Sequence, residues 1–328
     1  MQMRNLGRSG PAVSAIGLGC MGMYGPADRN ESIATIRSAL DAGVNLIDTG
    51  DFYGMGHNEM LIGEALRGRA RDSVVISVKF GALRDAGGGW AGYDCRPAAV
   101  KNFLAYTLQR LGLDHIDIYR PARLDPATPI EDTVGAIADE IKAGRVRYIG
   151  LSEVGSDTIR RAAGVHPISD LQIEYSLISR DIETSILPTC RALGIGVTAY
   201  GVLSRGLISG RWNADRKAPG DYRVHSPRFQ SGNVDANLAL ASALRAIADK
   251  RGASVAQLAI AWALSRGQDI VPVLGSRTRP QLNEALGALD FALTDSERVE
   301  IERVLATHVV AGERYAPAQL DHLDSRKG

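Results

Sequence analysis

Residues 17–30 read Gly-Leu-Gly-Cys-Met-Gly-Met-Tyr-Gly-Pro-Ala-Asp-Arg-Asn, and the first six match the G-x-G-x-x-G fingerprint of a dinucleotide-binding turn. In a doubly wound fold that fingerprint opens a helix whose N-terminus holds the pyrophosphate. Here eight residues of loop character follow, and the helical pattern begins only near Glu31. The alternative is a glycine-rich loop that leaves a barrel strand and lets a ligand approach its backbone. The spacing favours the barrel loop.

Short apolar runs alternate with amphipathic helices along almost the whole chain. Strands are predicted at residues 15–18, 44–47, 74–78, 116–119, 146–151, 171–173, 196–200 and 270–274. Helices are predicted at residues 31–42 (with Asn30 as N-cap), 58–67, 97–111, 130–143, 156–163, 183–193, 235–251, 255–265 and 279–289. The strands do not alternate strictly, as expected when both faces are covered.

Eight strand–helix units in 328 residues predict an α/β fold, a (β/α)₈ TIM barrel in one domain over residues 1–328. The barrel core is expected over about residues 4–292. A long loop over residues 205–234 follows the seventh strand, and a C-terminal helix and tail occupy residues 293–328. In this fold chemistry lies in the loops at the carboxyl ends of the strands.

Composition narrows the class of protein. The net charge of +1 gives no electrostatic reason to expect nucleic acid or an anionic membrane as partner. No apolar run approaches the roughly 20 residues of a membrane helix, and the N-terminus lacks a signal-peptide pattern. The three cysteines lack metal-ligand or redox spacing, so we expect buried side chains, no metal and a cytoplasmic setting.

Three polar side chains fall at the carboxyl ends of neighbouring strands. Asp48 ends the second strand, Tyr53 lies just beyond it, and Lys79 ends the third strand. A tyrosine, with an ordinary pKa of about 10, can donate a proton to a developing alkoxide when a nearby cation lowers that pKa. Lys79 is the candidate cation, and Asp48 is the candidate for holding Lys79 charged and in place.

Several motifs make the chain resemble the aldo-keto reductases from Leu6 to about Asp290. They are GLGCMGMYG, NLIDTGDFYG with NEMLIGEAL, SVKFG, LGLDHIDIY, DTVGAIADEIKAGRVRYIGLS, LQIEYSLISR, AYGVLSRGLISG and VLGSRTRPQL. The resemblance, to bacterial NADPH-dependent oxidoreductases, implies a (β/α)₈ barrel that binds NADPH/NADP⁺ in extended form. It also implies that Asp48, Tyr53 and Lys79 are three members of a catalytic tetrad.

The resemblance implies a cofactor site as well. Backbone at Gly19, Cys20 and Met21 is expected beside the nicotinamide, together with Asp48, with Ser152 and Gln172 on its carboxamide and Tyr200 stacked on its ring. Gly201, Leu203, Ser204 and Arg205 match the pyrophosphate loop, and Gly275, Ser276, Arg277, Gln281 and Glu284 match the adenosine end. A guanidinium suits a 2′-phosphate, which favours NADPH over NADH. Ala285 stands where the family usually has asparagine. The phosphates are expected across the barrel from residues 17–22, near Leu203–Arg205 and Gly275–Arg277.

One position departs from the family. The histidine that normally completes the tetrad is replaced by Ala122 in the run Arg120-Pro121-Ala122-Arg123. Three alternatives follow. Arg120, Arg123 or an ordered water supplies the lost hydrogen bond; the pocket is widened for a larger or charged substrate; or the protein binds cofactor and turns over poorly.

Two functions therefore remain to be separated. The leading hypothesis is an NADPH-dependent oxidoreductase acting on an aldehyde or ketone, or on the corresponding alcohol. The second is a non-catalytic NADP(H)-binding protein that regulates a partner, and metal-assisted hydrolysis lacks convergent ligands. Substrate-pocket candidates are Tyr24, Tyr53, Trp90, Arg120, Arg123 and Trp212, with Arg228 and Phe229. The substrate and the oligomeric state stay open.

Overall fold

Eight parallel strands close into a barrel, which confirms the predicted (β/α)₈ fold. The computed structural model describes residues 1–24, 29–212, 222–230 and 232–326. The barrel strands are β1 (Gly17–Gly19), β2 (Leu46–Gly50), β3 (Val75–Phe80), β4 (Ile116–Pro121), β5 (Val146–Ser152), β6 (Ile168–Glu174), β7 (Gly196–Tyr200) and β8 (Ile270–Gly275). Each of the eight overlaps a predicted strand, with ends that differ by up to three residues. Pairing of β8 with β1 closes the barrel and sets Gly275 beside Gly19.

Helices surround the barrel and leave its carboxyl end to the loops. They are α1 (Arg29–Asp41), α2 (His57–Ala65), α3 (Pro97–Leu111), α4 (Ile130–Lys142), α5 (Ser156–Val165), α6 (Ile186–Leu193), α7 (Asn233–Asp249), α8 (Val255–Ser265), α9 (Arg279–Leu286), α10 (Asp295–Thr307) and α11 (Pro317–Leu320). None of the described helices is long and apolar enough to cross a membrane.

The predicted start of α1 is wrong by two residues. The helix begins at Arg29, so Asn30 lies in its first turn and is not the N-cap. A hydrophobic period locates a helix but does not define its first turn. Of the stretch between Gly22 and this helix, residues 25–28 lie outside the described residues. The predicted loop over residues 205–234 is described except at residues 213–221 and 231, and it contains short 3₁₀ turns.

Two short antiparallel hairpins were not predicted, because three- or four-residue strands carry too little alternation to be recognised. One pairs Met3–Asn5 with Ala12–Ser14, and the Arg4 guanidinium at this end donates to the carbonyls of Gly267 (2.8 Å) and Leu264 (3.0 Å). The other pairs Ala82–Arg84 with Trp90–Tyr93, directly after β3. The first hairpin therefore sits at the amino end of β8, and the second extends the loops at the opposite end.

A buried ion pair crosses the inside of the barrel. Arg120 on β4 and Asp170 on β6 are both 0% exposed, and Nη1 of the arginine lies 2.7 Å from Oδ2 of the aspartate. Thr198 donates to the same oxygen, and Nη2 of Arg120 donates to the Ser77 hydroxyl at 2.9 Å. Gly150 on β5 leaves the space, since a Cβ there would lie 3.0 Å from the Arg120 guanidinium carbon and 2.9 Å from the carboxylate.

The position of Arg120 contradicts its prediction as a substrate-binding residue. It is a strand residue whose side chain fills the barrel interior, and it forms its hydrogen bonds with Asp170, Ser77, Thr198 and the Leu151 carbonyl. No part of it is exposed to a ligand.

Arg120→Met is expected to lower the free energy of unfolding by about 3–5 kcal/mol, because it leaves the Asp170 charge buried without a partner. Urea denaturation followed by circular dichroism measures the change. The double variant Arg120→Met/Asp170→Leu removes both charges and should recover much of the loss. A single variant as stable as the wild type would show that the pair does not hold the barrel interior together.

Candidate active site

Asp48 and Lys79 form a buried ion pair at the carboxyl ends of β2 and β3. Both are 5% exposed, and Lys79 Nζ lies 2.5 Å from Asp48 Oδ1. The second carboxylate oxygen accepts from Ser77 Oγ at 2.9 Å and from Gln172 Nε2 at 2.8 Å. The pairing of β2 with β3 sets Asp48 beside Ser77, and Lys79, two residues further along β3, shares a face with Ser77. Both oxygens of Asp48 are therefore occupied by donors.

Tyr53 lies beside this pair, in the loop that joins β2 to α2. Lys79 Nζ is 5.2 Å from the centre of the tyrosine ring, and the Phe52 ring packs edge-on at 4.8 Å. Three successive residues after Tyr53 have positive φ: Gly54 (55°), Met55 (52°) and Gly56 (90°). The conformation suits glycine and costs free energy at Met55, so this loop is a strained turn that ends directly in a helix.

The Tyr53 phenol is held in its neutral form. Burial raises its pKa well above the usual value, the Asp48 carboxylate raises it further, and the Arg123 guanidinium opposes both. Burial also lowers the pKa of Lys79, an effect that Asp48 opposes. The expectation of a lowered Tyr53 pKa is wrong for the net shift, because burial outweighs the effect of nearby cations, and the cation that chiefly opposes the rise is Arg123.

Ala122, the position that departs from the family, is followed by an arginine that lies at the site. Ala122 follows β4, is almost fully buried, and donates its N–H to the Phe80 carbonyl at 2.8 Å. The next residue, Arg123, is half-buried, and its Nη1 donates to the Ala122 carbonyl (2.6 Å) and to Ser152 Oγ (3.4 Å). Burial lowers the pKa of Arg123, but neighbouring acidic groups, led by Tyr200 and Tyr315, raise it above the usual value.

The C-terminal tail returns to this end of the barrel, a contact that the sequence did not predict. Glu153, at φ 53°, accepts two hydrogen bonds from Arg314 (2.8 and 2.7 Å), one from Ser325 Oγ (2.9 Å) and one from the Tyr200 hydroxyl (2.6 Å). These interactions, chiefly with Arg314, outweigh the effect of burial and lower the pKa of Glu153 to about 2. The tail is therefore tied to a carboxylate that stays ionised at any ordinary pH.

An aromatic contact adds to this attachment. The hydroxyls of Tyr315 and Tyr200 lie 3.0 Å apart, and the Arg205 guanidinium lies 4.3 Å from the centre of the Tyr315 ring. Tyr200 at the end of β7 and Arg205 in the loop after it therefore hold Tyr315 at the carboxyl end of the barrel. The signal in the sequence is weak, an arginine next to a tyrosine in the tail (Arg314-Tyr315).

The candidate nicotinamide residues converge on the same end. Ser152 is buried at the end of β5, Gln172 lies on β6 with its amide donated to Asp48, and Tyr200 ends β7. The candidate pyrophosphate residues follow directly: Gly201 has φ 68°, and Leu203 precedes Ser204 (φ 48°) and Arg205 (φ 59°). This loop is a second strained turn, built like the one after β2.

The ends of β1 and β8 form a bare strip of backbone. Gly19 and Gly275 are paired, and a Cβ at Gly275 would meet no atom within 4 Å. The Cys20 side chain is buried, so it offers only backbone there, and Met21 is exposed. Gly22 lies against the Arg277 side chain. Residues 275–277 are therefore beside residues 17–22, and the expectation that they face each other across the barrel is wrong.

A cavity of about 440 Å³ opens next to the loop after β7. It is lined by Ser209–Arg211, Arg245, Asp249, Gly252–Val255 and Glu284. Glu284 is ion-paired with Arg211 at 2.6 Å, and the Gln281 side chain accepts from the Arg277 N–H at 2.9 Å. The Arg277 side chain is exposed and forms no ion pair with any described residue, whereas Ser276 is buried. Of the candidate adenosine residues, Glu284 lines this cavity, and the other four precede Glu284 in the chain.

The remaining substrate candidates divide into rim residues and structural ones. Tyr24 and Trp90 are exposed; Trp90 begins its hairpin strand, 4.5 Å from the Tyr93 ring. Trp212 packs against Phe229 at 5.4 Å. The prediction for Arg228 is wrong, because its side chain is buried and donates to Ser179 Oγ (2.9 Å) and to the Ile178 carbonyl (2.8 Å).

The three cysteines are free and buried, as expected from their spacing. Within the described ranges, no group of three or more His, Cys, Asp or Glu side chains is arranged to hold a metal ion.

Known proteins resemble the chain in sequence and in structure. Residues 15–306 match the Aldo/keto reductase family. Over 326 residues the chain is 39% identical to probable aldo-keto reductase 1 of Glycine max, covering 98% of this chain and 94% of that protein. A glycerol dehydrogenase of Gluconobacter oxydans superposes with a TM-score of 0.85 at 31% identity, over 96% of this chain and 97% of the other. An aldo-keto reductase of Bacillus halodurans in its holo form superposes at 0.79 and 27% identity, over 93% and 96%. With a closed eight-stranded barrel, a match over most of its length and oxidoreductases as neighbours, this chain belongs to the aldo/keto reductase family.

Proposed function

We propose that the protein is an NADPH-dependent oxidoreductase that interconverts an aldehyde or ketone and the corresponding alcohol. The observation that carries the proposal is a neutral Tyr53 phenol beside the buried Asp48–Lys79 pair, at the carboxyl end of an aldo/keto reductase barrel. We further propose that residues 1–328 form one domain. The free cysteines fit a cytoplasmic location.

The residues present fit a nicotinamide dinucleotide. The bare strip at Gly19 and Gly275 admits close backbone approach, and the 440 Å³ cavity lies beyond the loop after β7. Proposed contacts are Gly19, Cys20, Met21, Asp48, Ser152, Gln172 and Tyr200 toward the nicotinamide, Gly201, Leu203, Ser204 and Arg205 toward the pyrophosphate, and Gly275, Ser276, Arg277, Gln281 and Glu284 toward the adenosine. When bound, the cofactor supplies the hydride or takes it back.

Tyr53 is proposed to donate the proton that the substrate oxygen gains during reduction. A phenol whose pKa is raised keeps its proton at neutral pH and gives it up only to a stronger base, such as a developing alkoxide. The Lys79 charge, 5.2 Å from the ring centre, stabilises the phenolate that remains. Asp48 keeps Lys79 ionised against the effect of burial. In the direction of alcohol oxidation the same phenolate accepts the proton.

Arg123 is the group best placed to supply the donor that Ala122 lacks. Arg120 is committed to Asp170 inside the barrel. Arg123 contacts Ser152 and is the main cation that acts on the Tyr53 phenol. We therefore propose that its guanidinium replaces the imidazole as a hydrogen-bond donor near the substrate oxygen.

Tyr53→Phe is expected to lower kcat with a carbonyl panel by about 10²–10⁴-fold, because it removes the acid. NADPH oxidation at 340 nm measures the rate. Thermal unfolding and NADPH binding should stay at wild-type values, and Tyr106→Phe, on the exposed face of α3, serves as the matched control. Undiminished turnover in the Tyr53 variant would exclude the proposed acid. Tight NADPH binding by a wild type with no turnover would instead favour the regulatory hypothesis.

Arg277→Met is expected to raise KM for NADPH about tenfold, and KM for NADH little, if the free guanidinium binds the 2′-phosphate. Steady-state kinetics with each cofactor provide the measurement. The matched control is Arg279→Met, two residues away, where the guanidinium is already paired with Glu31 at 2.9 Å. Equal effects of Arg277→Met on the two cofactors would contradict a phosphate contact.

A further inference from the structure

We infer that Arg123 binds a carboxylate of the substrate, so that the preferred substrates are oxo acids, or the hydroxy acids formed from them. The inference rests on the proposed function for the reaction itself. It goes further by naming the substrate class and the residue that selects it. The reacting carbonyl and the carboxylate lie a few atoms apart in such a compound.

The first argument is a balance of charge. Lys79 is paired with Asp48, Arg314 with Glu153, and Arg228 with Glu174 at 3.4 Å. Arg123, in contrast, forms no ion pair with any carboxylate of the described residues. A half-buried guanidinium has lost part of its hydration and is stabilised by an anion. Arg123 is therefore a cation of the site without a paired carboxylate, and Glu153, which acts on it from further away, is already paired with Arg314.

The second argument is a balance of donors and acceptors. Glu153 already accepts from Arg314, Tyr200, Ser325 and the Glu174 N–H, and Asp48 accepts from three side chains. The Tyr93 hydroxyl, by contrast, has no hydrogen-bond partner among the described residues. What remains for a ligand is a guanidinium and phenol hydroxyls, with the Glu153 and Asp48 carboxylates already occupied. Such a set fits an acceptor-rich group, and a carboxylate accepts from arginine in two places.

The third argument is location. Arg123 Nη1 lies 3.4 Å from Ser152 Oγ, and its charge acts on Tyr53, Tyr93, Tyr200 and Tyr315. A carboxylate bound there is next to the proposed acid and not at a distant rim. In the reduction the carbonyl carbon gains a hydride from NADPH and the oxygen gains the Tyr53 proton, which solvent restores. The carboxylate is unchanged.

Paired substrates test the inference. Phenylglyoxylate and its methyl ester share a skeleton and a ketone but differ in charge, as do pyruvate and methyl pyruvate. We expect Arg123→Met to lower kcat/KM for the acids by about 10- to 100-fold more than for the esters, whose smaller loss reports the hydrogen bond proposed to the carbonyl oxygen. Arg123→Lys should restore part of the loss. The control Arg69→Met removes a half-buried arginine, paired with Asp41, that lies outside the site. Equal losses for acid and ester, or no preference for either acid in the wild type, would overturn the inference.

A binding measurement separates this inference from the proposed reaction. Calorimetric titration with benzoate, and with neutral benzamide as control, needs no turnover. Benzoate should bind the wild type and lose at least tenfold in affinity in Arg123→Met, while benzamide binds neither. Equal affinity of benzoate for the wild type and for Arg123→Met, or no benzoate binding to the wild type, would contradict the inference. Arg123-dependent benzoate binding without reduction of any carbonyl compound means that the proposed reaction fails and the carboxylate site stands.

Discussion

The ion pair between Asp48 and Lys79 is the constraint on which the catalytic end of this barrel depends. An ammonium that is 5% exposed stays charged only because a carboxylate lies against it. That carboxylate is fixed in turn by Ser77, whose hydroxyl also accepts from Arg120. A single hydroxyl thus joins the candidate site to the ion pair with Asp170 in the barrel interior. The barrel interior therefore holds two linked ion pairs in addition to an aliphatic cluster that includes Leu46, Val75 and Ile118.

Two arginines three residues apart show how much strand geometry decides. Arg120 lies on β4 and points into the barrel, where Gly150 leaves room for it. Arg123 lies beyond the end of the same strand, beside Ser152 and the tyrosines. In sequence the two look alike, and both were candidates for the same role. The two differ in their position relative to the end of β4. Arg120, before that end, stabilises the interior, and Arg123, after it, can contact a ligand.

The sequence predicted what depends on local pattern. Eight strands and the fold follow from alternating short apolar runs, and the grouping of Asp48, Tyr53 and Lys79 follows from their places at strand ends. Contacts between distant segments were missed. The bonds of Arg314 to Glu153 span 161 residues, and no period or spacing encodes them. The upward shift of the Tyr53 pKa was also missed. Burial raises this pKa by more than a neighbouring cation lowers it, and burial is not visible in a motif.

The attachment of the tail has a consequence for where this protein can be shortened. The match to the family ends at residue 306, before Arg314, Tyr315 and Ser325. A boundary drawn there would discard the cation that neutralises Glu153, and this buried carboxylate would lose its ion-pair partner beside the tyrosine proposed to stack on the nicotinamide. The opposite terminus is different, because its hairpin contacts the amino end of β8, away from the chemistry. Fusion partners and affinity tags therefore belong at Met1.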